Sequence, residues 1–577
     1  MRAGLLCLSL VPMLSAHAAS PPDLVGVWGN ETVSGPLLVG EITLDGRAGV
    51  MQAEIAGLPA TVQREGSTIT FSAPGQHGHF RGRMIGKEIR GVWIQPAGQT
   101  QSSEYATPVS LAQTDKQVWR GTLAPLPDRL SQYIHISRNP DASLHAYLGN
   151  PAYNLGRGRS YDVTVEGDTV VLTDPKRKGW ALNGRFDSET DQLRMEWQGI
   201  GVFAFTRRER DQAIGYYATT PADANREYRV PVPAQDGWAT ASLQDQGMRL
   251  APMTGMLEHL QTLAAPEPGK PQVHSVLVAR NGKLVFESYF HGYSRERAHD
   301  TRSAGKSFAS LLVGMAIQQG ADLSPNTPAL SRLPDYATTV PAGDARHAIT
   351  LANLMSMNSG LACDDYTGDS PGNEDTMQGQ REQRDWYRFT LALPMTHAPG
   401  ADKAVYCSAG INLLGGVVRE ATGRPLTELF EEWVARPMQM RGYHLNLAPN
   451  DDVYLGGGMF MRPRDLLKLG QLYLDGGVWQ GKRLVASTWI DDSVARHTTF
   501  GPNHDYGYAW HLHTFQVRDH DYRAYAAEGN GGQFVIVIPE LKLVAGITAG
   551  SYGEFSTWYP LQDLVAEYII PAALPEG

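Results

Sequence analysis

Hydrophobic and polar residues alternate in short runs between about residues 24 and 208, and Gly, Asn and Asp separate the runs. This pattern is typical of antiparallel strands. Further along the chain, apolar residues recur at helical spacing, for example over 308–317 and 465–474, and strand-like runs lie between these segments. The pattern predicts an all-β region followed by a domain that mixes helices and strands.

The all-β region repeats itself after roughly 100 residues. The matching segments are 65–71 with 166–172 and 80–83 with 182–185. Trp28 and Trp119, each preceded by valine, open the two copies. We predict two related β units, over about 24–108 and 113–208, which form either two small barrels or two halves of one sheet structure.

Prolines at 221, 231 and 233 predict irregular chain, so we expect a linker over 211–240 between a β-rich region at 19–210 and a second domain at 241–577. Asn281-Gly282 marks a two-residue hairpin turn between apolar runs. Two late strands flank Pro539-Glu540. The predicted fold class of the second domain is α/β with an antiparallel sheet flanked by helices.

The first 18 residues have the pattern of a secretory signal peptide. Arg2 supplies a positive charge, residues 5–14 are apolar, and Ala16-His17-Ala18 forms a small-x-small cleavage site. We expect an exported protein, periplasmic or secreted; a buried first helix is the alternative.

Charge and composition exclude several partners. The formal net charge is -10, and the chain has no long basic run that could neutralise a phosphate backbone, so nucleic acid is not expected. No second apolar stretch approaches the ~20 residues of a transmembrane helix. The 17 histidines form no metal-binding motif, so we expect neither a metal nor a cofactor, and we interpret His511 and His513 as paired surface histidines. The sequence leaves the oligomeric state undetermined.

Removal of the signal would take Cys7 with it and leave Cys363 and Cys407. An even pair of cysteines in an exported protein is compatible with a disulfide. The alternative is two separate buried thiols, which the sequence alone does not exclude.

Ser303 and Lys306 form a Ser-x-x-Lys motif immediately before an apolar run of helical period. At this spacing the two side chains lie on one face of a helix, one turn apart. A helix N-terminus stabilises negative charge on a serine oxygen, and a desolvated lysine can accept the serine proton. The motif alone is weak, because an exposed helix start has the same pattern.

Two further motifs follow in the chain. Tyr406-Cys407-Ser408 could place a phenol and a hydroxyl near the lysine, where Tyr406 relays a proton and Ser408 bonds both the lysine and a substrate amide. The glycines of segment 529–533, which leads into a strand, would let a substrate carbonyl approach the backbone.

The order Ser-x-x-Lys, Tyr-x-Ser and Gly-rich strand resembles the penicillin-recognising serine hydrolases, which include β-lactamases, D-alanyl-D-alanine peptidases, and related esterases and 6-aminohexanoate-dimer hydrolases. The resemblance covers about residues 240–577 and extends to segments 354–361, 456–465 and 506–510. It implies a β-lactamase/transpeptidase-like domain preceded by the two β repeats.

The resemblance also implies roles for individual residues. Ser303 would be the nucleophile, Lys306 the proton acceptor and Tyr406 the proton shuttle. The implied oxyanion donors are the backbone N–H groups of Ser303 and Gln533, and the implied substrate contacts are Ser408, Asn530, Gly531 and Gly532. A Cys363–Cys407 bridge would connect two active-site loops.

Two positions depart from the family pattern. Ser408 stands where asparagine is frequent, and Asn530 stands where lysine or histidine usually holds a substrate carboxylate. We therefore expect a serine hydrolase that forms a covalent acyl-enzyme with small ester, amide or peptide substrates. One alternative is a β-lactamase or D-alanyl-D-alanine peptidase, and another is a catalytically silent protein that binds cell-wall peptides.

Overall fold

The computed structural model describes residues 23–33, 38–97, 103–127, 129–149, 159–175, 179, 181–197, 201–209, 212, 227–262, 270–380 and 384–576. The predicted signal peptide at 1–18 lies outside these ranges, as does most of the predicted linker before residue 227.

The β-rich region contains sixteen described strands. These are β1 (Gly26–Val33), β2 (Gly40–Asp45), β3 (Gln52–Ile55), β4 (Leu58–Glu65), β5 (Thr68–Ser72), β6 (His79–Ile85), β7 (Glu88–Gln95), β8 (Tyr105–Asp115), β9 (Val118–Leu123), β10 (Arg129–Arg138), β11 (Leu144–Gly149), β12 (Arg159–Glu166), β13 (Thr169–Thr173), β14 (Ala181–Asp187), β15 (Gln192–Trp197) and β16 (Gly201–Arg208).

The strands close into two eight-stranded barrels, and each barrel takes its closing strand from the other sequence copy. Strands β2–β9 form one ring, and β10–β16 close through β1 into the second ring. The predicted units at 24–108 and 113–208 are therefore copies in sequence but do not coincide with the two folded barrels. The two opening strands are similar, with Trp28 in β1 and Trp119 in β9, so sequence similarity does not fix which ring each one joins.

The repeated glycines have the same structural reason in both barrels. A Cβ at Gly82 in β6 would lie 2.5 Å from the carbonyl oxygen of Arg90, and a Cβ at Gly184 in β14 would lie 2.5 Å from that of Arg194. Only glycine allows the next strand to approach so closely. The match between segments 80–83 and 182–185 thus reflects one packing constraint used twice.

The second domain begins with strands and helices that the structure describes from residue 239 onward. Its strands are β17 (Ala239–Thr240), β18 (Val273–Arg280), β19 (Lys283–Tyr289), β20 (His299–Asp300), β21 (Leu445–Asn446), β22 (Phe460–Met461), β23 (Val478–Trp479), β24 (Lys482–Arg483), β25 (Thr498–Gly501), β26 (His504–Tyr506), β27 (His511–Val517), β28 (His520–Gly529), β29 (Gln533–Ile538) and β30 (Leu543–Ala549). Its α-helices are α1 (Leu250–Thr262), α2 (Lys306–Gln318), α3 (Pro334–Ala337), α4 (Leu351–Met355), α5 (Glu374–Gln378), α6 (Trp386–Ala392), α7 (Ser408–Thr422), α8 (Leu426–Leu429), α9 (Pro463–Leu474), α10 (Ser487–Ser493), α11 (Phe555–Trp558) and α12 (Ile570–Ala572).

A nine-stranded sheet in the order β17-β19-β18-β30-β29-β28-β27-β26-β25 forms the centre of this domain. All described pairs in it are antiparallel except β17 with β19. Helices α2, α7 and α9 pack on one face, and α1 with the C-terminal helical segments packs on the other. The predicted α/β class with an antiparallel sheet is confirmed, and the apolar runs of β29 and β30 fit a sheet buried on both faces.

Local predictions in this domain also hold. Asn281 and Gly282 connect β18 and β19 with φ angles of 50° and 76°, the positive values that a two-residue turn of this type needs. The end of the predicted linker packs on the domain: Trp238 Nε1 donates to Arg464 O at 2.9 Å, and Tyr228 donates to Val285 O at 3.1 Å. Across the described ranges, no helix has the length and apolarity needed to cross a membrane.

Candidate active site

The predicted nucleophile lies at the start of a helix. β20 leads into a 3-10 turn over Arg302–Gly305, and α2 begins at Lys306. Ser303 is partly exposed, whereas Lys306 is 1 % exposed. Lys306 Nζ donates to Ser303 Oγ at 2.8 Å and to Gly456 O at 2.6 Å. The structure thus brings the serine and the lysine together in the arrangement that the helical spacing predicts.

Burial shifts the Lys306 amine toward its neutral form. Burial lowers the pKa of the Lys306 ammonium, and the carboxylates of Glu374 and Asp365 oppose this change. The ring of Tyr406 covers the amine, with Nζ 4.9 Å from the ring centroid, and this contact attracts the charged form. A lowered pKa increases the fraction of neutral amine, and only that form can take a proton from serine.

Two glycine loops hold the backbone turn that carries Ser303. Arg302 has a left-handed φ of 45°, and its N–H donates to Asp300 Oδ1 at 2.8 Å. A Cβ at Gly457 would lie 2.5 Å from the carbonyl oxygen of Arg302, and a Cβ at Gly529 would lie 2.4 Å from that of Thr301. Glycine is therefore required at both positions for the loops to reach the strained turn.

Tyr406 borders the same site and is 8 % exposed. Burial raises the pKa of its phenol well above the usual range, Tyr506 and Tyr366 add to this rise, and a contact with Ser303 opposes it. The phenol is consequently protonated at neutral pH. Such a group can donate or relay a proton but cannot serve as a resting tyrosinate base.

Cys363 and Cys407 form a disulfide with a Cα–Cα distance of 5.2 Å. Of the two alternatives that the sequence left open, the bridge is the correct one. It joins the segment after α4 to the residue that precedes α7 and follows Tyr406.

Asp365, which the sequence analysis missed, fixes the backbone around Tyr406. Its Oδ2 accepts the N–H of Ser408 at 2.7 Å, its Oδ1 accepts the N–H of Glu374 at 2.8 Å, and its own N–H donates to Tyr406 O at 2.9 Å. Burial raises the pKa of Asp365 to about 7, as does the charge of Glu374, while Lys306 and the Ser408 N–H oppose the rise. Only its position two residues after Cys363 could have signalled this role.

Ser408 does not have the environment that the sequence suggested. We expected its hydroxyl to bond the lysine and a substrate amide, but Ser408 is the first residue of α7 and is 0 % exposed. A substrate therefore cannot reach the hydroxyl in this conformation. Its N–H donates to the Asp365 carboxylate, so Ser408 helps to hold the segment that contains Tyr406.

The third motif is the turn between β28 and β29. Gly531 and Gly532 have φ angles of 92° and 99°, which favour glycine. Asn530 Oδ1 accepts the N–H of Gly553 at 2.8 Å, and Gln533 Nε2 donates to Ala549 O at 2.6 Å. The Gln533 side chain therefore anchors this turn to β30, and the contact of Gly529 with Thr301 places it beside the Ser303 turn.

The interpretation of His511 and His513 as surface residues is wrong, because the two side chains are only 7 % and 10 % exposed and lie around Glu528. Glu528 pairs with His513 and lies 4.0 Å from His511, and His511 Nδ1 is 3.0 Å from His504 Nε2. The side chains of alternate residues on β27 share one face, as expected, but β28 supplies a carboxylate opposite them. Among the described residues, no three His, Cys, Asp or Glu side chains are arranged to hold a metal ion.

The histidines determine the charge state of Glu528. Burial alone would raise the pKa of its carboxyl, but the nearby His511 and His513 outweigh burial and lower it to about 2. Burial lowers the pKa of His511 to about 4, whereas Glu528 outweighs burial and raises the pKa of His513. Glu528 is therefore ionised at neutral pH, and it favours the charged form of His513.

Comparison with known proteins identifies relatives of the second domain. The Beta-lactamase family model matches residues 267–565. The 6-aminohexanoate-dimer hydrolase of Paenarthrobacter ureafaciens is 26 % identical over 231 residues, which cover 38 % of this chain and 56 % of that protein. The D-alanyl-D-alanine-carboxypeptidase/endopeptidase AmpH of Escherichia coli K12 is 25 % identical over 256 residues, or 41 % of this chain and 59 % of that protein.

The chain thus spans less than two thirds of the length of either curated relative. Among solved structures, a penicillin-binding protein homologue from Caulobacter crescentus superposes with a TM-score of 0.45 at 15 % identity and covers 56 % of this chain and 97 % of its own.

Proposed function

Because the chain belongs to the Beta-lactamase family, we propose that it is a serine hydrolase that acts through a covalent acyl-enzyme on small ester or amide substrates. One observation carries the proposal: the Lys306 amine, buried under the Tyr406 ring, donates to the Oγ of the partly exposed Ser303 at 2.8 Å. A nucleophile within hydrogen-bond reach of a base is the arrangement that acyl transfer requires.

In the proposed reaction, Ser303 Oγ attacks the substrate carbonyl carbon and transfers its proton to neutral Lys306. The backbone N–H groups of Ser303 and Gln533 stabilise the resulting oxyanion. When the C–O or C–N bond to the leaving group breaks, the leaving group takes a proton from Tyr406, and Lys306 returns a proton to the phenol. Water then hydrolyses the acyl-serine by the same route and regenerates the enzyme.

The residues around the nucleophile favour a neutral substrate. Asn530 replaces the family cation, and its Oδ1 already accepts the Gly553 N–H, so its NH₂ group is the end that can donate to a substrate carbonyl. Gly531 and Gly532 would let that carbonyl approach the backbone. Tyr366 is 68 % exposed, and its ring centroid lies 5.4 Å from that of Tyr406, which offers an apolar contact beside the reaction centre.

Two alternatives differ in measurable ways. A D-alanyl-D-alanine peptidase is suggested by the name of the Escherichia coli relative and a β-lactamase by that of the family, but the substrates of both carry a carboxylate for which Asn530 supplies no charge. A silent protein that binds cell-wall peptides would not need the Ser303–Lys306 hydrogen bond. The pattern of residues 1–18 supports export to the periplasm or the medium as part of the proposal.

The test is covalent labelling with a fluorophosphonate, followed by mass spectrometry of the modified peptide. We expect a single adduct on Ser303, hydrolysis of p-nitrophenyl butyrate by the natural sequence, and loss of both in Ser303→Ala. Ser324→Ala is the matched control, because Ser324 is exposed and lies outside the helices and strands. This variant should behave as the natural sequence does. Hydrolysis retained by Ser303→Ala would refute the mechanism.

A further inference from the structure

The β2–β9 barrel and the hydrolase domain share a strand connection. At the start of β8, Tyr105 and Ala106 pair antiparallel with Asn446 and Leu445 of β21. The N–H of Leu447 extends this ladder by donating to Glu104 O at 2.9 Å. The sheet of the barrel therefore continues into the hydrolase domain through backbone hydrogen bonds.

Buried side chains reinforce this connection. Tyr105 is 7 % exposed and Phe460 is 4 % exposed, and their rings meet edge to face with centroids 5.6 Å apart. Tyr105 also donates from its hydroxyl to Gly458 O at 3.4 Å. Next to the pair of Ala106 and Leu445, Thr107 Oγ1 lies 2.8 Å from His444 Nδ1. The backbone N–H and C=O of His444 both form hydrogen bonds with the backbone of Phe460.

The hydrolase segment that the barrel contacts is the one that holds the catalytic turn. We call residues 456–461 the supporting loop. Its Gly456 O accepts the Lys306 ammonium at 2.6 Å. Its Gly458 N–H donates to Arg302 O at 3.2 Å, and its Met459 O accepts the Thr301 N–H at 2.8 Å.

Phe460 joins both sets of contacts. In β22 it pairs with Asp300 of β20, two residues before Arg302, while its ring packs on Tyr105 of the barrel. The left-handed Arg302, with φ of 45°, needs surrounding structure that holds it in place. The supporting loop lies between the barrel and this turn and contacts both.

We propose that the β2–β9 barrel is a positioning element of the active site, in which Tyr105 holds the supporting loop and thereby fixes the geometry of Ser303 and Lys306. The inference rests on the proposed function, because positioning affects a rate only if Ser303 reacts. A displacement of about 1 Å at a reacting pair can lower a rate by up to roughly 100-fold. This gives the N-terminal repeats a role in catalysis without any ligand of their own.

The experiment compares Tyr105→Ala and Tyr105→Phe with Phe71→Ala in the full chain. Phe71 is 3 % exposed and stacks on Phe80 at 4.8 Å inside the same barrel, so its substitution weakens the barrel without touching the supporting loop. For p-nitrophenyl butyrate, we expect Tyr105→Ala to lower kcat and the rate of fluorophosphonate labelling about tenfold or more at unchanged KM. Tyr105→Phe keeps the ring and should stay within about threefold of the natural sequence. Phe71→Ala should lower Tm and leave kcat unchanged.

A folded Tyr105→Ala protein with unchanged kcat overturns the proposal, and so does an equal loss in Phe71→Ala. If Tyr105→Ala does not fold, Thr107→Val takes its place. This variant removes only the hydroxyl bonded to His444 and should still lower kcat, and an unchanged kcat would overturn the proposal.

Hydrogen exchange separates this inference from the proposed function. If no variant or natural protein labels at Ser303, the proposed function fails, but faster amide exchange in 299–306 in Tyr105→Ala would still support positioning, and unchanged exchange would refute it.

Discussion

Lys306 and Gly456 lie 150 residues apart in the chain, and the lysine Nζ donates to the glycine carbonyl oxygen at 2.6 Å. This contact orients the amine so that another of its protons points at Ser303 Oγ. A carbonyl that accepts from the ammonium favours the charged form, so the lowered pKa of Lys306 comes from burial and not from this contact. The base of the proposed reaction is thus positioned by a backbone group that no side-chain motif contains.

Asp365→Asn should shift the pH dependence of kcat/KM. If neutral Lys306 is the base, the rate rises as pH passes upward through the pKa of Lys306. The Asp365 carboxylate, ionised above about pH 7, raises that pKa, so its removal should move the rise to lower pH by roughly 0.5–1 unit. Asp364→Asn is the control, since the hydrogen bonds described for the Asp364 carboxylate come from its chain neighbours Tyr366 and Thr367. No shift, or a shift to higher pH, contradicts this role for Asp365.

Asn530→Lys should change selectivity between charged and neutral substrates. A lysine can make a charge-assisted contact with a carboxylate, which is worth about 1.5–3 kcal/mol, whereas the asparagine amide cannot. The natural sequence should therefore favour a neutral ester over nitrocefin, and the variant should raise the nitrocefin-to-ester ratio of kcat/KM by about ten- to a hundredfold. Gln244→Lys, at an exposed position on the same domain, is the control for added charge. A natural protein that prefers nitrocefin would remove the main support for a neutral substrate.

The Cys363–Cys407 disulfide should account for both cysteines of a protein that begins at residue 19. Thiol titration under denaturing, non-reducing conditions should therefore find no free thiol. Closing a loop of 44 residues stabilises the folded state by about 3–4 kcal/mol in the chain-entropy model, so reduction should lower Tm. Two titratable thiols per chain would contradict the bridge.

Glu528→Gln should destabilise the protein by about 3–5 kcal/mol, because it leaves His513 buried without its charged partner. The lowered pKa of Glu528 contributes stability that is present above pH 4.5 and is lost as pH falls toward about 2. The raised pKa of His513 contributes stability that is complete below pH 6.5 and is lost as pH rises above it. The difference from the natural sequence in urea unfolding should therefore be largest between about pH 4.5 and 6.5.

Glu540→Gln is the matched control for this substitution. Glu540 also pairs with a histidine, His520, at 2.9 Å, but both side chains are more than half exposed. An exposed pair of this kind contributes little to stability. Equal effects of the two substitutions would show that burial does not decide the strength of the Glu528–His513 pair.

Trp28→Ala and Trp119→Ala should damage opposite barrels. Trp28 is 0 % exposed and packs on Phe186 of the β1/β10–β16 barrel, and its loss should cost about 3–5 kcal/mol there. Limited proteolysis of Trp28→Ala should cut within 129–208, and that of Trp119→Ala within 40–123. The reverse pattern of cuts would mean that each barrel closes with the strand of its own sequence copy.

The sequence by itself determined features that depend on neighbours in the chain. Ser303 and Lys306 meet because three residues make about one helical turn, and the Asn281-Gly282 turn follows from local backbone preference. The repeats and the glycines at 82 and 184 were equally visible, because the same close approach of strands recurs in both copies.

Only the tertiary structure decided which distant groups meet. The exchange of β1 and β9 between barrels, the Gly456 carbonyl beside Lys306 and the Asp365 carboxylate on the Ser408 N–H all join segments far apart in sequence. The burial of Ser408 and the contact of His513 with Glu528 were likewise not foreseen, because a helix start and a neighbouring strand produce them. Local sequence patterns depend on residues that are a few positions apart. Contacts across the core depend on the shape and charge of residues that are distant in the chain, and such contacts produce no periodic pattern in the sequence.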